Sequence, residues 1–147
     1  MDNVTITEDG AVRVEIPMKL PGLNDYVRAC RTNAYIGSKM KKNVERWLLF
    51  YFRDVPEFGH PVRISFLWIE ENKRRDLDNV AFAKKFVLDA LVKAGKLKDD
   101  NRRCVTAFDD SFDYAGEAAV ILTIREDKGD NDKRWLCFLS ELLRGDQ

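Results

Sequence analysis

The chain has 147 residues, 45% hydrophobic and 34% charged, with 25 basic and 25 acidic side chains. That length and balance predict one globular domain with a sizeable core and no global basic field. No apolar run reaches the roughly 20 residues of a bilayer span, and "MDNVTITEDG" lacks a signal peptide's basic start, so a cytoplasmic protein without a membrane partner is expected.

In chain order, "VRVEIPM" (12–18) alternates apolar and polar residues and reads as a strand, paired with "VTIT" through the turn "EDG". "LPGLND" reads as loop. Ser38 then looks like an N-cap. Met40, Val44, Trp47, Leu48 and Tyr51 follow at helical spacing, predicting an amphipathic helix over 39–53. His60, the only histidine, lies in the turn-like "EFGHP", and Cys30, Cys104 and Cys137 are far apart. This argues against a Ser-His-Asp triad and a Cys/His zinc site, and suits reduced thiols. "PVRISFLWIE" (61–70) is strand-like, 78–94 reads as a second helix, and Gly95 is its left-handed cap.

"CVTAF" (104–108) and "AAVILTI" (118–124) read as strands separated by an acidic turn, "DDSFDYAGE". The tail "KRWLCFLSELL" sets Trp135, Phe138, Leu139, Leu142 and Leu143 on one helical stripe, for docking on the core or on a partner chain. The order is β-α-β-α-β-β with a C-terminal helix. It predicts an α+β domain (1–147) around one mixed sheet, with a core over about 12–124 and a helical extension over 125–147.

Charge is unevenly spread. Residues 61–103 carry eleven Lys/Arg against seven Asp/Glu, and 104–147 carry five against ten. A basic middle can hold an anionic polymer at one face. Within it lies "KRRDLDNVAFAKKF" (73–86), where Asp76 and Asp78 follow three cations. On a straight helix Asp78, Lys85 and Asp89 fall within about 40° of one another, with Lys84 well off that line. Those three could be a solvated face with an Asp cap and a Lys–Asp pair. Asp76 argues otherwise, because like charges this close repel unless a cation sits between them. Aspartates without histidine suit a hard ion, Mg²⁺ or Mn²⁺, and Mg²⁺ flanked by Lys/Arg fits phosphate chemistry.

"RRDLDNVAFAKKFVLDALVKAGKLKDDN" resembles the central motif of the RusA family of Holliday-junction resolvases, common in phages and prophages, and "LPGLNDYVRACRTNAYIGSKMKK" is similar to phage-type members. The likeness spans roughly 14–124; the last twenty or so residues match nothing in the family. It implies a RusA-like fold and a homodimeric, Mg²⁺-dependent endodeoxyribonuclease cutting symmetrically across a four-way DNA junction, with no small-molecule cofactor. It implies metal binding by Asp76, Asp78 and Asp100, with Asp99 beside the last, and a catalytic lysine at Lys85, four before Asp89, or else Lys84. Lys73, Arg74 and Arg75 would grip phosphates, with Lys84, Asn24 and Arg28 adding contacts. A straight helix over 78–94 would carry Ala94 about 24 Å from Asp78, more than the roughly 20 Å spanned by the chain to Asp100. Asp100 is therefore expected to serve the other subunit of a two-fold dimer.

Overall fold

The computed structural model describes residues 2–127 and 142–145. Strand β1 (Val4–Ile6) turns back through Gly10, at φ 86°, into β2 (Val12–Ile16), whose Val12, Val14 and Ile16 are buried while Arg13 and Glu15 face out. Helices α1 (Leu23–Thr32) and α2 (Ala34–Phe52) follow, then β3 (Val62–Glu70), the short α3 (Leu77–Ala81), α4 (Lys84–Lys93), β4 (Val105–Tyr114) and β5 (Ala119–Glu126). The sheet order is β1-β2-β5-β3-β4. β3 and β4 run parallel and every other pair antiparallel, so the sheet is mixed and the protein α+β, as expected. A parallel pair needs a crossover, which α3 and α4 supply.

One face of the sheet (Val14, Ile16, Ile64, Phe66, Trp68, Leu122, Ile124) packs on Leu48 and Phe52 of α2 and Val87, Ala90 and Leu91 of α4. Along the region expected as the second helix Val80, Ala83, Val87, Ala90 and Leu91 are buried, and Gly95 takes φ 75° as its cap. Among the described residues no helix is long and apolar enough to cross a membrane.

Four expectations need correction. "LPGLND" is a helix start: the Gly22 amide donates to Asp25 Oδ2 (2.9 Å), so loop-forming side chains close the first turn of α1. α2 begins at Ala34, because Asn33 Oδ1 accepts the Ile36 amide (2.8 Å) and pre-empts Ser38 as the cap. Its buried line is Gly37, Val44, Leu48 and Phe52, which leaves Trp47 56% exposed. β4 continues to Tyr114 through the expected turn, since pairing with β3 from Val62 to Glu70 satisfies its backbone, Asp109 and Asp113 are exposed, and Asp110 pairs with Lys84.

The fourth correction matters most for the site. The second helix is broken at Phe82–Ala83, where the amides of Ala83, Lys85 and Phe86 bond three residues back (3.2, 3.0 and 3.0 Å). Tyr26 of α1 stacks on Phe82 (ring centres 5.8 Å) and meets Phe86 edge-on (5.7 Å), wedging the junction from α1. Of the tail stripe, Trp135, Phe138 and Leu139 lie outside the described residues; Leu142 and Leu143 are helical and exposed.

Candidate functional site

Asp76 and Asp78 stand on the connection that leaves the carboxyl end of β3, the edge of a parallel unit at which ligands bind in open α/β sheets. Asp76 is the N-cap residue of α3, yet its side chain makes no capping bond. Asp78 lies in the first turn, and both carboxylates are exposed. Among the described residues neither has a hydrogen-bond or ion-pair partner. Exposed Lys73, its ammonium 5.1 Å from the Tyr114 ring centre, and exposed Arg74 precede them.

Buried groups hold this turn. Asn79 is buried and its Oδ1 accepts the Asn24 amide at 2.9 Å, joining α3 to the start of α1. Gly22 must be glycine: a Cβ there would lie 2.5 Å from Asn79 Oδ1, 2.9 Å from the Asn79 carbonyl and 3.0 Å from Arg75 Nη1. Arg75 turns inward, its Nε donating to Glu70 Oε1 (2.7 Å) and its Nη1 to the Leu20 carbonyl (3.1 Å), with Asp25 Oδ2 at 3.8 Å. Its expected phosphate contact is corrected accordingly: these donors are spent on the protein, and Arg75 holds the turn. The sequence signal for Asn79 was the asparagine of D-L-D-N, but only its partner across 55 residues gives it a role.

The two lysines diverge. Lys85 Nζ lies 3.1 Å from Asp89 Oδ1 and 3.5 Å from Asp100 Oδ2, and Lys41 approaches Asp89 at 3.5 Å. The Asp89 hydrogen bond, above all, raises the Lys85 pKa, with Asp100 adding to it against a small burial cost, so the group is a cation and not a base at neutral pH. Lys84 faces the sheet. Its Nζ contacts Asp110 Oδ2 (2.7 Å) and lies 4.3 and 5.3 Å from the Phe108 and Phe66 ring centres, while Trp68 Nε1 donates to Asp110 Oδ1 (2.8 Å). Its expected DNA contact is corrected too, because the ammonium is enclosed by β3 and β4. Asn24 and Arg28 are exposed on α1 and, with Val27, Arg31 and Thr32, line an open cleft of about 450 Å³.

The break at Phe82–Ala83 removes the straight helix on which the Asp78–Lys85 phase and the 24 Å estimate rested. Among the described residues there is no group of three or more His, Cys, Asp or Glu that could hold a metal ion.

No family model and no curated protein matches the chain. Among solved structures it is similar to the periplasmic domain of Helicobacter pylori MotB, at 15% identity, covering 95% of this chain and 98% of that one, with a TM-score of 0.37. A likeness that weak carries no argument about function.

Proposed function

We propose that the protein is a homodimeric, Mg²⁺-dependent endodeoxyribonuclease that resolves four-way DNA junctions by paired phosphodiester hydrolysis, in the manner of the RusA family its central motif resembles. The observation that carries this reading is the pair Asp76 and Asp78, two exposed carboxylates separated by one residue, which no cation among the described residues neutralises. Mg²⁺ is characteristically bound by one or two carboxylates together with waters and substrate phosphates, so an open aspartate pair suits it without a third ligand from the same chain. Mn²⁺, with similar oxygen preference, would substitute. When bound, the ion supplies an acidified water and charge neutralisation on the phosphoryl oxygens.

The chain's own residues do the rest. Lys73 and Arg74 draw the phosphate backbone to the turn, independent of sequence. The buried Asn79–Asn24 and Arg75–Glu70 contacts keep the turn from yielding as the anion arrives. Lys85, held protonated by Asp89 and Asp100, offers positive charge or a proton to the departing oxygen. A four-way junction has two-fold symmetry, so two equivalent sites in a dimer match paired cuts.

The test is incubation with a synthetic four-way junction and with a linear duplex of the same sequence, in Mg²⁺ and in EDTA. Paired nicks are expected in the junction alone and only with metal. Tight junction binding without nicking in either metal would replace the nuclease by a junction-binding module, and no preference for the junction would end both.

A further inference from the structure

Residues 26–53, covering most of α1 and all of α2, carry seven cations (Arg28, Arg31, Lys39, Lys41, Lys42, Arg46, Arg53) against one carboxylate, Glu45, a balance of +6. All seven cations are exposed, and Glu45 faces Lys93 at 3.9 Å. Lys41 leans on Asp89 (3.5 Å) and Arg53 on Asp54 (3.7 Å); the other five have no carboxylate partner among the described residues. This stretch is strongly basic, and the aspartate pair does not use it.

The phase of α2 arranges the charge. With Gly37, Val44, Leu48 and Phe52 buried, a rotation of about 100° per residue puts Tyr35, Lys39, Lys42, Arg46 and Arg53 within about 60° on the outermost side. Ile36, Trp47 and Phe50 form an adjoining ridge. The burial agrees: Tyr35 is 72% exposed, Trp47 56% and Phe50 40%. A lone exposed aromatic means little, but a ridge of them beside a row of cations about 21 Å long is a patch. The Arg53 guanidinium already lies over the Phe50 ring, 4.7 Å from its centre, so that face accepts a flat group.

Cations that follow a backbone, interleaved with rings on which bases stack, are how proteins hold unpaired strands. We propose that the outer face of α2 binds single-stranded nucleic acid, with phosphates along Lys39, Lys42, Arg46 and Arg53 and bases on Trp47, Phe50 and Tyr35. Arg28 and Arg31 of α1, which packs against α2 and touches α3, extend the surface toward the Asp76 turn. This goes beyond the proposed cleavage, since it needs neither a metal nor a junction and stands whether or not Asp76 and Asp78 cut DNA.

The experiment follows fluorescence anisotropy of a labelled oligo-dT strand titrated with the full chain in EDTA, across a salt series. A duplex of equal length and phosphatidylglycerol vesicles are parallel arms. Oligo-dT is expected to bind more tightly than the duplex. Trp47→Ala should weaken it about ten-fold or more, and Lys39→Gln, Lys42→Gln and Arg46→Gln together should lower the salt slope by about 2. Asp76→Asn and Asp78→Asn should bind oligo-dT like the wild type, which separates this surface from the cleavage site. Oligo-dT affinity unchanged by both α2 variants, with their helical circular dichroism intact, would overturn the proposal. So would vesicle binding through these residues without oligo-dT binding. Loss of the nuclease reading with oligo-dT binding retained leaves it standing.

Discussion

Arg75 Nε meets Glu70 Oε1 at 2.7 Å, with side chains only 15% and 12% exposed, and so ties the last residue of β3 to the residue before Asp76. Removing one partner leaves a buried charge uncompensated, so Arg75→Met or Glu70→Gln should destabilise the fold by about 3–5 kcal/mol. Urea denaturation measures this. If Arg75→Met left stability alone and weakened DNA binding, the residue would be a phosphate contact after all.

Asp78→Asn keeps the size of the side chain and deletes one charge of the unpartnered pair. Junction cleavage should fall by orders of magnitude, while junction affinity holds or rises because an anion near phosphate has gone. Gel-shift and nicking assays on one preparation read both, and near-normal cutting would remove Asp78 from the mechanism.

Gly22→Ala forces a Cβ to 2.5 Å from Asn79 Oδ1. Crowding against this turn should cost about 1–3 kcal/mol and lower cleavage together with melting temperature. Gly116→Ala, where nothing lies within 4 Å, is the matched control and should leave both unchanged.

Lys84 and Lys85 should separate chemistry from stability. Lys84→Met breaks a half-buried ion pair with Asp110 and should cost about 1–3 kcal/mol of stability, with cleavage intact at low temperature. Lys85→Ala should spare stability and impair cleavage. The sign for pH follows from the raised Lys85 pKa: whatever its pairing contributes to folding is complete below the unfolded lysine value and fades as pH rises through the folded one. Asp89→Asn should bring the Lys85 titration, followed by NMR, down toward the ordinary lysine value.

In the proposed dimer, we expect Asp100 to serve the partner's site. Mixing inactive Asp78→Asn and Asp100→Asn proteins should then restore single nicks on a junction. Silence after verified subunit exchange would leave Asp100 as Lys85's partner within its own chain.

Local pattern made much of this legible. Alternation marked β2, the helical reading of 78–94 marked the crossover, and the D-L-D-N run marked the candidate site. What failed depended on partners remote in sequence. The helix that periodicity alone continues through Phe82 is interrupted where Tyr26, remote in sequence, stacks on Phe82, and β3 turns an acidic turn-like stretch into strand. Trp47 went astray for another reason: a hydrophobic residue at helical spacing looks like core until the phase is fixed by Leu48 and Phe52. Arg75 read as a free cation because only the fold brings its two acceptors to it, Glu70 Oε1 at the end of β3 and the Leu20 carbonyl 55 residues away.

The two edges of the sheet are unequal in length and alike in being poor templates. β1 offers three residues, while β4 ends the other side with Asp109 and Asp113 pointing to one face and Asp110 engaged by Lys84 on the other. A second copy laid along β4 would bring carboxylates into register with carboxylates and desolvate them, which is how an edge stays unpaired in a crowded cell. Two chains therefore gain little by continuing one sheet into the next. Charge on that edge thus disfavours open-ended strand-by-strand growth.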